Sequence, residues 1–137
     1  MKQRKVMSKS EEKLMDFLWK QDKAMTIVEI EQHMVAEGVK KATIFKAVQS
    51  LVEQEYLCVN GFERVSKSYA RKFEPAITRE EYAAVVLAAR GINTTSLGNL
   101  TMAMLGNENS ERRDEEADEK LIKELEDIIV KLRNRRE

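Results

Sequence analysis

The stretch KATIFKAVQSLVEQEYLCV, Lys41–Val59, changes its hydrophobic period part-way along, and that change decides the fold. From Lys41 to about Gln54, the residues Ile44, Ala47, Val48, Leu51 and Val52 recur at spacings of three and four. That is the period of a helix with one buried face. After Glu55 the run Tyr56-Leu57-Cys58-Val59 is dense in strand-forming residues. Asn60 to Lys67, with Gly61 and several polar side chains, reads as a turn or flexible loop. Tyr69, Arg71 and Phe73 then alternate with Ala70 and Lys72, the pattern of a second strand. Pro75, the only proline, ends it, because proline has no N–H to give to a ladder.

Upstream of this switch lie two shorter helical patterns, each with its own start signal. Ser8 and Glu11 form Ser-x-x-Glu, a capping box, ahead of Leu14, Phe17, Leu18 and Trp19. Thr26 and Glu29 repeat it ahead of Ile27, Ile30 and Met34, and Gly38 supplies the stop, since glycine tolerates positive φ. Connections of a few residues force the three helices to pack at an angle. Three helices followed by a hairpin is the order of a winged helix-turn-helix, with the hairpin as wing.

Downstream the chain is helical again. Thr78 and Glu81 form a third capping box, followed by Tyr82, Val85, Val86 and Ala89 on one stripe, and Gly91 ends that helix. Asn93 to Ser96 is a polar break. Leu97 to Leu105 is apolar and rich in methionine, with Gly98 and Gly106 weakening it as a helix. Met102 and Met104 read as core filler, and Gly106 to Arg113 as a loop. A last helix, Asp114 to about Asn134, begins in acid and ends in Lys131, Arg133, Arg135 and Arg136, which complements the helix dipole. Leu121, Leu125, Ile128, Ile129 and Leu132 form its stripe, widened by Ile122 and Val130, and a stripe that broad needs a partner surface. The expected fold is mostly α with a small β-hairpin wing: a winged-helix DNA-binding domain over 1–75, then a helical dimerisation domain over 76–137.

Charge alone does not reveal a partner. The 24 Lys and Arg balance 24 Asp and Glu, but residues 1–75 carry 14 basic against 11 acidic and the remainder 10 against 13. A basic first half and an acidic second half suggest two tasks. No apolar run reaches the roughly 18 residues of a membrane span, and the basic N-terminus is not followed by a signal core. The expected location is cytoplasmic. Cys58 is the single cysteine and His33 the single histidine. A disulfide within the chain and a thiolate metal cluster are thereby ruled out. No nucleophile–base pair, phosphate loop or metal-ligand spacing is present, so no enzyme, catalytic residue, metal or cofactor is expected.

Taken in order, Ser8-Lys9-Ser10-Glu11, Leu14-Met15, Leu18-Trp19, Thr26 to Ile30, Ala42 to Leu51, Arg71 to Pro75 and Ile77 to Tyr82 resemble the penicillinase-repressor (BlaI/MecI) family over roughly residues 7–90. The resemblance implies a homodimeric repressor on an inverted-repeat DNA operator. In the family's antibiotic-resistance members a membrane sensor-protease pathway detects β-lactam, and the repressor is cut in its C-terminal part. Three departures stand out. Ser50 occupies the place of a family basic residue late in the recognition helix. The family's Asn-Phe cleavage bond has no counterpart between Ser96 and Asn109, Asn99-Leu100 being nearest. The cysteine-rich hook of the copper-responsive branch is missing.

With Ile44, Val48 and Leu51 inward, Lys41, Thr43, Phe45, Lys46, Gln49 and Ser50 lie on or near the outer face of the third helix. The N-terminal part of a recognition helix lies nearest the base edges. Lys41 and Lys46 can reach phosphates or guanine acceptors, Gln49 can pair with adenine, and Thr43 can meet a phosphate or a thymine methyl. Phe45 has two readings, against thymine methyls and sugars or against the wing. On the wing, Arg64, Lys67, Ser68 and Arg71 suit backbone contacts, with an internal ion pair as the other reading of Arg71. Lys2, Arg4 and Lys5 read as either an added basic arm or a frayed tail. Dimerisation is assigned to Tyr82, Val86, Leu121, Leu125, Ile128, Ile129 and Leu132, against packing of the last helix on its own domain. Two other functions are compatible with the pattern: a winged-helix interaction module that has lost DNA binding, and a regulator with an effector site between its tail helices.

Overall fold

A computed structural model describes residues 4–107 and 114–136. Its elements run α1 (Lys9–Trp19), β1 (Met25–Thr26), α2 (Ile27–Ala36), α3 (Lys41–Glu53), β2 (Leu57–Val65), β3 (Ser68–Pro75), α4 (Arg79–Ala89), α5 (Leu97–Asn107) and α6 (Glu115–Asn134). Lys2 of the basic arm, and residues 108–113 of the loop expected after Gly106, lie outside the described residues. The chain divides into two compact units, Met1–Ile92 and Asn93–Glu137.

All three capping boxes are formed. Ser8, Thr26 and Thr78 each accept the N–H of the glutamate three residues on, and that glutamate's carboxylate accepts the cap residue's own N–H. Each box satisfies two N–H groups that the helix cannot pair internally. The stripes then meet. Leu14, Met15 and Leu18 of α1, Ile30 and Met34 of α2, and Ile44, Val48 and Leu51 of α3 close one core with Met25, Leu57 and Phe73 from the strands. Each of the fully buried leucines contributes roughly 1.5–3 kcal/mol by burial.

The wing is longer and more regular than its sequence suggests. In place of a loop over Asn60 to Lys67, β2 continues to Val65 and the reversal occupies only Ser66 and Lys67. The polar segment stays in the ladder because it is bulged: the register shifts between Val59 and Phe62, where Gly61 adopts φ +93°. Ser66 at φ 57° makes the turn, and the Ser68 hydroxyl donates to the Val65 carbonyl across it. A third strand is not expected from the sequence at all. Met25–Thr26 pairs antiparallel with β3 through Met25↔Phe73 and Thr26↔Lys72, giving the order β1-β3-β2. Two residues are too few to show a period of two.

Helix α4 belongs to the first unit, although the sequence pattern puts the start of the dimerisation part at residue 76. Its anchor is Tyr82. The hydroxyl accepts the Met7 N–H at 2.9 Å and donates to the Glu12 carboxylate at 3.0 Å. The ring packs edge-on against Tyr56 at 5.6 Å and lies 6.0 Å from Trp19, whose indole N–H donates to the Ile77 carbonyl. Burial in this cluster pushes the Tyr82 hydroxyl pKa up to about 12, outweighing the opposing effect of the Met7 N–H. The Arg4 guanidinium lies over the Tyr56 ring and donates to the Glu55 carbonyl, so at least this part of the basic arm is docked.

In the second unit a 3-10 turn, Thr94–Ser96, is capped by the Asn93 side chain, where a polar break was expected. It leads into α5, which extends to Asn107 despite Gly98 and Gly106. Helix α6 is capped by Asp114, which accepts the Ala117 N–H. Neither α5 nor α6 buries a residue. Among the described residues no helix is long and apolar enough to cross a membrane.

Candidate nucleic-acid interface

Helix α3 is built to present one face. Its inward stripe of Ile44, Ala47, Val48 and Leu51 is buried, which leaves Lys41, Phe45, Lys46 and Gln49 exposed. Thr43 and Ser50 lie half-buried on the flank. The Ser50 hydroxyl is engaged within the helix, accepting the Gln54 amide at 2.9 Å, and that amide also reaches Glu11 of α1 at 3.5 Å. Ser50 therefore sits at the junction with α1. Helix α3 also differs from its neighbours at its start. Its N-cap is Lys40, with no side-chain cap and no acid in the first turn. Nothing in its own cap or first turn compensates the positive end of this helix, as suits an approaching phosphate.

Beside α3 stands one face of the wing. Ladder partners share a face, and so do alternate residues of one strand. The pairs Phe62↔Arg71 and Arg64↔Tyr69 therefore place two aromatic and two basic side chains together. The same face continues inward to Phe73, with the Arg71 guanidinium 5.4 Å from its ring centre. Arg71 is exposed, and its guanidinium stacks on that ring. Between helix and wing runs an open groove of about 510 Å³, lined by Phe45, Gln49 and Val52 on one side and Tyr69, Arg71 and Phe73 on the other. Phe45 thus flanks the wing while remaining 50% exposed. Lys67 sits at the wing tip, and Ser68 closes the turn.

Sequence reasoning misses Phe62 and Tyr69, which are 64% and 67% exposed. By sequence Tyr69 is a strand former only, and Phe62 falls inside the expected loop. A signal is present in the alternation Tyr69-Arg71-Phe73, which puts all three on one face. Among the remaining candidates, Tyr82 is buried in its own unit and Val86 packs half-buried against the same core. Leu121 and Leu125 are half-buried, while Ile128, Ile129 and Leu132 are exposed. Among the described residues no group of three or more potential metal ligands is found.

A family model described as penicillinase repressor matches residues 7–131, nearly the whole chain. The chain belongs to the penicillinase repressor family. A member of that family is a DNA-binding transcriptional repressor and not an enzyme. The match extends past the region of resemblance near residue 90 and takes in most of α6. No curated protein matches. Solved structures give looser likenesses. MarR of Staphylococcus aureus, in complex with salicylate and kanamycin, is 16% identical, with 93% of this repressor and 75% of that chain covered and a TM-score of 0.42. A point mutant of Lactococcus lactis ZitR is 22% identical, with 93% and 76% covered and a TM-score of 0.37. PerR from Streptococcus pyogenes is 8% identical with a TM-score of 0.40; the match covers 50% of this repressor and 46% of the PerR chain. The winged-helix description therefore stands on the element order, sheet and core described above.

Proposed function

We propose that this repressor acts as a homodimer on an inverted-repeat operator, with α3 in the major groove and the wing against the adjoining backbone. One observation carries the reading: the exposed side of α3, with Lys41, Lys46 and Gln49, adjoins a wing face that adds Arg64 and Arg71. In a helix-turn-helix this is the surface that meets DNA. Lys41, Lys46, Arg64 and Lys67 supply phosphate contacts, Gln49 reads a base edge, and Thr43 touches the flank of the groove. Phe45, Phe62 and Tyr69 offer apolar surface to sugars and thymine methyls. With its hydroxyl turned to Gln54, Ser50 supports α3 from the α1 side and makes a lesser contact.

The sequence pattern assigns pairing to residues 76–137; with Tyr82 and Val86 packed in the first unit, the pairing falls on this reading to residues 93–137, because two half-sites require a two-fold partner. The exposed apolar residues of α6 are suited to that task. Proteolysis in the tail, which the family resemblance implies for the resistance members, would uncouple the two half-site contacts and release the operator. The protein acts where DNA is, in the cytoplasm.

Fluorescence anisotropy with duplexes spanning the protein's own upstream DNA tests the reading. A specific complex is expected at moderate salt. Gln49→Ala should weaken it by about 1–3 kcal/mol and relax preference at one base pair. Lys46→Ala should weaken all duplexes alike and lower the salt slope by about 1. Specific affinity unaltered by both changes would remove α3 from recognition.

A further inference from the structure

Helix α6 carries its apolar stripe on a heptad seam. Asp118, Leu121, Leu125, Ile128, Leu132 and Arg135 follow one another at steps of three and four, the a and d positions of a coiled coil. The seam is apolar in the middle and oppositely charged at its two ends. Of its apolar residues Leu121 and Leu125 are half-buried, while Ile128 at 39% and Leu132 at 53% are exposed. Along the whole helix the sign of charge reverses as well, from Glu115, Glu116 and Asp118 in the first turn to Lys131 and Arg133 in the last.

We infer that α6 pairs antiparallel with α6 of a second copy of this chain, across a two-fold axis crossing the helix midway between Leu125 and Ile128. The inference rests on the homodimer reading above and adds to it the direction and register of the contact. In an antiparallel pair a positions face d positions. That axis sets Leu125 against the partner's Ile128, Leu121 against the partner's Leu132, and Asp118 against the partner's Arg135. On the flanks, Glu124 meets the partner's Lys131 and Ile122 meets the partner's Ile129. Every layer is complementary, and the helix dipoles oppose each other favourably. A parallel pair in register fails at both ends. It would set Asp118 against Asp118, Arg135 against Arg135 and Lys131 beside Arg136, and like charges held together destabilise. Two heptads are fewer than the three or four that mark a free-standing coiled coil, so α6 sets the orientation of a larger contact.

Disulfide trapping in the full-length chain tests this, with Cys58→Ser as background. Sedimentation first establishes the dimer; a monomeric chain at micromolar concentration overturns the homodimer reading and this inference together. Chains carrying Asp118→Cys are then mixed with chains carrying Arg135→Cys and oxidised. Antiparallel pairing predicts that the mixture cross-links efficiently and that neither chain does so alone. Cross-linking of Asp118→Cys chains with one another, or no cross-link from a demonstrated dimer, overturns the inference and leaves the homodimer standing. A charge exchange supplies the independent check. Asp118→Arg or Arg135→Asp alone should weaken the dimer several-fold, and the two together in one chain should restore it. Loss that simply adds in the double variant would contradict the pairing.

Discussion

In the winged unit Leu14, Ile30 and Leu51 are withdrawn from solvent, whereas in α6 Ile128, Ile129 and Leu132 remain open to it. Both sets are aliphatic side chains at helical spacing, so the difference lies in what they meet. Helices α1, α2 and α3 have one another and a three-stranded sheet to close against. Helix α6 presents a comparable stripe, of which Leu121 and Leu125 are half-buried and no residue is fully buried. The first unit completes a core within a single chain; in the second, α5 and α6 have no fully buried residue. On the proposed homodimer reading that division is useful, because a reading unit must be rigid alone and a pairing unit must be unsatisfied alone.

The contrast is sharpened most by mutating each side of it. Leu51→Ala opens a cavity at a site with no solvent exposure and should cost about 2–5 kcal/mol. In urea titrations that loss should be independent of protein concentration. Leu132→Ala should instead leave the unfolding of the winged unit unchanged and raise the concentration at which chains pair. Equal, concentration-independent losses at both positions would break the comparison.

A smaller effect concerns the place where α4 is tied to the winged unit. The Tyr82 pKa is raised to about 12, so its neutral form is favoured in the folded state. Stability from this group is full below about pH 10, the pKa of an unperturbed tyrosine. It declines as pH rises between that value and about 12, where only the unfolded chain ionises. Burial raises the Tyr56 pKa too, adding in the same direction. Alkaline unfolding followed by tyrosine absorbance should show this decline, and Tyr82→Phe should flatten it. A Tyr82→Phe chain with the wild-type pH profile would mean that the hydroxyl does not hold α4.

The smallest expected change is at a cap. Thr78→Ala removes one half of the α4 capping box and should cost about 1 kcal/mol. Because that box stands in the first unit, the loss should appear in its unfolding without altering pairing. A shift in the pairing constant would mean that α4 takes part in the subunit contact.

Helix starts were the most legible part of the fold, because a Ser or Thr followed three residues later by Glu states a specific pair of hydrogen bonds. The buried faces of α1, α2 and α3 were legible for a similar reason, since period and burial coincide. The wing was harder. Asn60 and Gly61 look like turn residues, and only the bulge at Gly61 allows the strand to run past them. Strand β1 has no period to read. At the interface, Lys46 and Gln49 follow from the helix wheel alone. Phe62 and Tyr69 require the ladder register, which the sequence does not state. Ser50 faces outward on the wheel but is turned by its bond to Gln54, a contact set by the packing of α1.

On the proposed reading the winged unit is complete without the tail, while pairing depends on the tail. Sedimentation equilibrium of a chain comprising residues 1–92, beside the full-length protein at the same concentration, tests it most directly. A folded monomer is expected for the shortened chain and a dimer for the full-length one. A shortened chain that is dimeric, or that does not fold, would contradict it.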